Sequence, residues 1–239
     1  MENKILILPD IHGRKFWHDA VEKYKDEVEK IIFLGDYLDP YGYEGVTADD
    51  AIQEFCDILE FKDNNMDKTI LLLGNHDICY FNEYFRINAG GGRFDYFNAE
   101  KIKELFTDNM NMFQLAYEQK VGDTRYLFTH AGIVRGWYEF NFGVIGNLTV
   151  ENLNKLLDTE EGVKALSNVG LYRWGSYDYG SMVWADVHEQ QKKRLFEDVY
   201  QVFGHTQQES DPIINKRYAC LDCRKAFLLT SDCEIKEAS

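Results

Sequence analysis

Five short apolar runs in this chain end in residues that can bind metals or move protons. "ILILPDIH" runs into Asp10 and His12, "IIFLGDYLD" into Asp36 and Asp39, and "LLLGNHD" into Asn75, His76 and Asp77. "YLFTHAG" then brings His130, and "VFGHT" brings His205. Taken singly, an Asp after a strand is an ordinary helix N-cap and a lone His an ordinary structural residue. Taken together they ask for another explanation, because four of the six histidines fall at such ends and leave only His18 and His188 elsewhere. Carboxylates, imidazoles and one neutral amide, with no thiolate among them, suit Mn, Fe or Zn. Two such ions roughly 3.5–4 Å apart and bridged by an Asp would activate a water and clamp phosphate oxygens for in-line attack. A phosphoester is the substrate this set of residues suits best.

For that chemistry the five ends must meet in space, so the elements that carry them matter. The runs at 4–8, 30–35, 69–74, 125–130 and 200–205 are rich in β-branched and aromatic residues and read as strands. Segments 17–28, 47–62, 99–106, 149–158 and 187–198 are long enough for helices, several with apolar residues three and four apart. This alternation predicts an α/β fold with helices packed on the sheet. In open α/β sheets the C-terminal strand ends gather along one rim, where ligands bind. Segments 88–97 and 170–186 are Gly- and aromatic-rich without periodicity, and read as long ordered loops over a site. The "GGG" at 90–92 follows no strand and lacks the Lys of a P-loop, so it reads as a bend. Residues 217–237 read as two or three strands, ending the sheet in a hairpin. With three Pro and no Ser/Gly tract, residues 1–239 are expected to form a single domain.

Composition narrows the partners. The 41 acidic against 26 basic residues give a formal charge of -15, which disfavours extended nucleic-acid binding. A small phosphorylated substrate held by metals is not disfavoured, because bound divalent ions dominate a local field. No apolar run approaches the roughly 20 residues that span a bilayer, and the first residues lack a secretory pattern. A cytoplasmic protein with no membrane partner is therefore expected. The five cysteines are odd in number and scattered, against a disulfide framework. Cys220 and Cys223 form a lone C-x-x-C that reads as thiols at a strand end rather than a zinc site.

In order along about 200 residues, "DIH" (10–12), "GDYLD" (35–39), "GNHD" (74–77), "THAG" (129–132) and "FGHT" (203–206) resemble the signature of the calcineurin-like metallophosphoesterases. Within that superfamily the chain is most similar to the phosphoprotein phosphatase branch, which includes bacterial diadenosine tetraphosphatases, through "DIHG", "VFGHT", "MVWAD" (182–186) and "ACLDC" (219–223). Gln207 stands where the nuclease branch has a second His, so that branch fits less well. The resemblance implies a four-layer α-β-β-α sandwich with a dinuclear metal site at the strand C-terminal ends. It implies Asp10 and His12 on one metal, Asp36 bridging both, and Asn75, His130 and His205 on the other. By the same resemblance His76 is the general acid, with Asp39 orienting its imidazole, while Asp77 braces the loop. The expected cofactors are two divalent ions, Mn2+ first, with Fe or Zn as alternatives.

One departure bears on substrate binding. The branch follows its second block with Arg-Gly, whose guanidinium holds the phosphate, but here Pro40 occupies the Arg position. Arg173 and Arg14 are the candidates to replace it, ahead of Arg93 and Arg135. The resemblance points to a hydrolase of phosphomonoesters, serine/threonine phosphatase-like. Dinucleoside polyphosphate or nucleotide hydrolysis is the alternative, and an inactive metal-binding scaffold a third reading. The partner is then a phosphorylated substrate: a phosphoprotein, a nucleotide or a small phosphoester.

Overall fold

The computed structural model describes residues 4–143, 148–192, 196 and 198–238. Strand β1 (Ile5–Leu8) is buried along its whole length. Its side chains alternate, with Ile5 and Ile7 in one apolar cluster and Leu6 and Leu8 in another. A strand covered on both faces needs such an unbroken apolar run, and the period of two divides it between two layers. β2 (Lys30–Phe33) pairs parallel with β1, and β3 (Thr69–Leu72) parallel with β2. The short β4 (Phe113–Gln114) adds a further parallel strand beside β3.

A second sheet faces the first. β5 (Ala116–Val121) and β6 (Thr124–Thr129) form an antiparallel hairpin, and β7 (Tyr200–Phe203) runs parallel to β6. β8 (Ile213–Ile214) and β9 (Tyr218–Cys220) complete it, in the order β5-β6-β7-β9-β8. The chain then returns to the first sheet, where β10 (Phe227–Leu229) lies antiparallel to β1 and β11 (Ile235–Glu237) closes a hairpin. The first sheet therefore reads β11-β10-β1-β2-β3-β4. Between the sheets lie Ile5, Ile7, Ile32 and Phe227 from one side, and Tyr126, Phe128, Val202 and Ala219 from the other.

Helices cover the outer faces. α1 (Phe16–Tyr24) buries Trp17, Ala20 and Val21 at spacings of three and four. α2 (Ala48–Asn64) buries Ala51, Ile52, Phe55, Ile58 and Leu59 against Leu6, Leu8, Ile31 and Phe33. Thr47 and Asp50 begin that helix with a reciprocal capping box, which satisfies two backbone donors left open at a helix start. α3 (Asn75–Phe81), α4 (Glu83–Ala89) and α5 (Ala99–Asp108) follow β3. α6 (Arg135–Phe142), α7 (Val150–Asn154), α8 (Glu160–Leu166) and α9 (Val187–Lys192) lie between β6 and β7. The result is the two-sheet sandwich flanked by helices that the resemblance implied.

Some expectations need correction. Helix 149–158 is broken into α7 and a 3-10 turn at Leu156–Asp158. Loop 88–97 is shortened because α4 continues through Ala89. Of the expected helix 187–198, residues 193–195 and 197 lie outside the described residues. The terminal strands do not end one sheet: β9 belongs to the second sheet, β10 and β11 to the first. Among the described residues, no helix is long and apolar enough to cross a membrane.

Candidate active site

β1, β2 and β3 end side by side in one sheet, and β6 and β7 end side by side in the other. Just beyond these ends the backbone turns sharply. Asp10, His12, Asp36, Asp39 and His205 all have positive φ, between 38° and 62°. They are five of the eight non-glycine residues with positive φ among the described residues, so left-handed backbone is concentrated at this rim. Each such residue costs about 1–3 kcal/mol and persists only where its surroundings over-determine it. Here they do. His12 N–H donates to Asp36 O at 2.8 Å and Gly13 N–H to Tyr37 O at 2.9 Å, tying the first loop to the second. The fully buried Asp77 carboxylate accepts from the N–H groups of Gly74 and Asp36, each at 2.8 Å, and of Tyr37 at 3.0 Å. Asp77 thus holds the Asp36 turn as well as its own, a wider bracing role than its place in "GNHD" suggested.

The turns bring five separate segments together. Asp36 Oδ2 lies 3.5 Å from His12 Nε2 and 3.4 Å from His130 Nε2. His130 Nε2 in turn lies 3.1 Å from Asn75 Oδ1 and 3.2 Å from His205 Nδ1. The His205 N–H donates to Asp10 Oδ1 at 2.9 Å across 195 residues of sequence. The ring tautomers follow from the other partners. His12 Nδ1 faces Leu38 O at 2.6 Å and His130 Nδ1 faces Leu34 O at 2.8 Å. A carbonyl only accepts, so each Nδ1 carries a hydrogen, and Nε2 is the ring atom turned to the cluster.

This arrangement fits divalent cations. Ligand atoms of Asp10, His12 and Asp36, and of Asp36, His130 and His205, lie within 4.8 Å of one another in two groups that share Asp36. The buried His205 Nε2 has no hydrogen-bond partner, as an atom left for a cation would. The electrostatics ask for positive charge as well. Burial alone would lower His130, but the charges of Asp36 and Asp10 outweigh it and push its pKa up to about 10. Burial raises Asp10 well above the usual carboxylate range, with Asp222 adding to the effect. Burial holds His12 and His205 well below the ordinary histidine value, which keeps both neutral, as metal ligands must be.

Beside this cluster His76 is arranged differently. Its Nδ1 lies 2.6 Å from Asp39 Oδ2, and the Tyr80 hydroxyl donates to the other Asp39 oxygen. Its backbone N–H donates to Asp36 Oδ1 at 3.0 Å. Burial lowers the imidazole's affinity for a proton, but the Asp36 charge and the Asp39 hydrogen bond more than offset this, so the pKa is raised.

The arginines sort themselves by their partners. Arg14 is buried, with Nε donating to Glu44 Oε2 at 2.7 Å, Nη2 to Glu44 Oε1 at 3.0 Å and Nη1 to Asp10 O at 2.9 Å. Arg173 donates from Nη2 to His205 O at 3.1 Å and to Thr206 Oγ1 at 3.0 Å, and its Nε pairs with Asp186 at 3.0 Å. Arg135 pairs with Glu139 on its own helix. Arg93, ranked behind them on sequence, is the one that meets His76, with Nη2 3.1 Å from His76 Nε2. No spacing rule links Tyr41, Tyr80 or the cross-loop bonds of Asp77 to the blocks they serve, so the sequence alone does not point to them.

Comparison with known proteins gives the family. The sequence model of the calcineurin-like phosphoesterase family matches residues 3–209. No curated protein sequence matches the chain significantly. Among solved structures, a protein serine/threonine phosphatase from Saccharomyces cerevisiae superposes with a TM-score of 0.53 at 12% identity, covering 99% of this chain and 79% of that one. A metallophosphoesterase from Sphaerobacter thermophilus superposes at 0.45 with 11% identity, covering 99% and 87%, and an archaeal phosphodiesterase at 0.39 with 13% identity, covering 98% of both. Identities of this size speak to fold alone; the family rests on the sequence match and on the ligand cluster at the strand ends. The chain belongs to the calcineurin-like phosphoesterases, a family of hydrolases that work with two divalent metal ions.

Proposed function

We propose that this protein hydrolyses phosphomonoesters in the manner of the serine/threonine phosphatase branch, with Mn2+ as its preferred ion. The observation that carries the reading is the Asp39–His76 pair, 2.6 Å apart, set beside the metal-ligand cluster with His76 Nε2 turned away from Asp39. Asp10, His12 and Asp36 would hold one cation, and Asp36, Asn75, His130 and His205 the other, so that Asp36 serves both. When bound, the two ions supply the positive charge and Lewis acidity that activate a water and neutralise the phosphate oxygens. The protein's own part is proton delivery and positioning. Asp39 accepts the Nδ1 hydrogen and, together with Asp36, favours the imidazolium, whose second hydrogen, on Nε2, is the one given to the leaving oxygen. Tyr80 holds Asp39 in place from its other oxygen.

Arg173, half-buried beside His205, belongs to this reading as a substrate contact. Arg14, paired with Glu44 and bonded to the Asp10 carbonyl, enters it as a brace of the first loop. The reading places the protein in the cytoplasm as one catalytic domain, in keeping with its five unpaired thiols. Purified protein with Mn2+ and a chromogenic aryl phosphate tests the activity. Turnover that disappears on chelation is expected; metal-loaded protein without turnover would sink the reading. A panel of phosphopeptides, mononucleotides and dinucleoside polyphosphates then ranks the substrates.

A further inference from the structure

The phosphomonoester reading leaves one requirement unmet, since Pro40 stands where a phosphate-binding guanidinium is expected. Resting on that reading, we propose that Arg93, carried by the glycine-rich loop after α4, is the cation that grips the substrate phosphate in this protein. Its placement is specific. With His76 Nδ1 engaged by Asp39, Nε2 is the ring edge that faces substrate, and Arg93 Nη2 donates to it at 3.1 Å, a contact that the neutral ring accepts and the protonated ring gives up, freeing the guanidinium for an anion. The Arg93 guanidinium carbon lies 3.5 Å from the centroid of the Tyr41 ring. Tyr41 stands edge-on to His12 at 5.1 Å between centroids, and His12 edge-on to His76 at 5.3 Å. Arg93, Tyr41, His12 and His76 therefore follow one another in contact, with His12 and His76 both against Asp36.

The charge of Arg93 is also uncompensated. Arg14 and Arg224 share Glu44, and Arg173 has Asp186. Among the described residues no carboxylate lies in ion-pair range of Arg93, and its buried Nε has no hydrogen-bond partner. A partly buried guanidinium with an idle donor, in a chain of net charge -15, is a place prepared for an anion. The loop explains how Arg93 gets there. A Cβ on Gly91 would lie 3.2 Å from His76 Cε1, so a side chain at 91 would crowd the imidazole that Arg93 must reach. Pro40 and Tyr41 complete the exchange: the cation is lost at 40, and the next residue supplies the aromatic face on which one from another loop rests.

A planar fork held this way binds two non-bridging oxygens at once. A phosphomonoester dianion satisfies it better than a diester, which has one ionised oxygen. Arg93 is thus a determinant of monoester preference. The test uses full-length Mn2+-loaded protein, with binding of inorganic phosphate measured by calorimetry and hydrolysis of aryl phosphate compared with a bis-aryl phosphodiester. Arg93→Ala should keep the wild-type metal content, weaken phosphate binding roughly 10–100-fold and lower kcat/KM for the monoester by a similar factor. Diester hydrolysis should change much less. Arg93→Lys, which restores charge without the fork, should fall between. Equal phosphate affinity in wild type and Arg93→Ala, or loss of metal from the variant, would overturn the assignment. Because calorimetry needs no turnover, it judges Arg93 even if the wild type fails to hydrolyse any ester, a failure that would count against the hydrolase reading instead.

Discussion

Two carboxylates raise the His76 pKa against burial and the nearby Arg93 charge, and this gives the reading its clearest test. A general acid works only while protonated, so a raised pKa extends activity toward higher pH. Asp39→Asn removes one of the raising groups; the alkaline limb of the kcat profile should then move to lower pH. His76→Asn should leave metal content near wild type while kcat falls by on the order of 10²–10⁴-fold, the usual worth of a positioned acid. Metal loss from that variant would instead make His76 part of the ligand set. At this scale much was legible in sequence, since Asp, Asn and His at five strand ends are a statement about residue type. The partners of the arginines were not. Arg14 follows Asp10 and His12 so closely that it looks like a site cation, yet Glu44, 30 residues on, neutralises it. Arg93 looks like an ordinary loop residue until the fold lays it on Tyr41.

Among the elements, the sharp turns after the strands do the positioning, and they depend on glycines that leave room for the ligands. A Cβ built on Gly204 would sit 1.8 Å from Asp10 Oδ2, and one on Gly74 would sit 2.1 Å from Asp36 Oδ1. Neither glycine needs positive φ; the constraint is space for a carboxylate. Gly204→Ala and Gly74→Ala should therefore displace Asp10 and Asp36 and lower bound metal at least tenfold, with the far-ultraviolet dichroism of the folded protein retained. Gly42→Ala, where an added Cβ meets nothing within 4 Å, is the control and should keep its metal. Unchanged metal content in both site variants would show that the turns tolerate rearrangement. The strands that end in these turns were readable because burial on two faces forces an unbroken apolar run such as Ile5–Leu8. The seven-residue helices α3, α4 and α8 were not, being too short for a 3.6-residue period to stand out from a loop. Nor does periodicity choose a strand's neighbours. β9 and β10 are six residues of linker apart and join different sheets, a choice made by tertiary packing.

Seen across the whole molecule, the two sheets and their helices bury weakly acidic groups, from Cys79 beside Asn75 to Tyr200 on the second sheet, and this sets an alkaline limit on stability. Burial pushes the Cys79 thiol up to about 12 and the Cys223 thiol up to about 11, from an ordinary 9.0. It pushes the Tyr200 hydroxyl up to about 12 from 10.0. In each case the folded state favours the protonated form. The stabilisation is complete below the unfolded value and is lost as pH rises through the folded one, because the unfolded chain releases its protons first. Heat denaturation of chelator-treated protein should therefore show a midpoint that begins to fall above pH 9.0 and drops steeply toward 11–12. Thiol labelling supplies a second readout of the same burial. The half-buried Cys56 and Cys233 should react with a disulfide reagent before unfolding, and the buried Cys79, Cys220 and Cys223 only with it. If Cys220 and Cys223 were protected by zinc instead of by burial, a chelator alone would expose them at neutral pH. Labelling that waits for global unfolding in the presence of chelator assigns their protection to burial, of Cys220 with Phe203 and Tyr218 and of Cys223 in the core between the sheets.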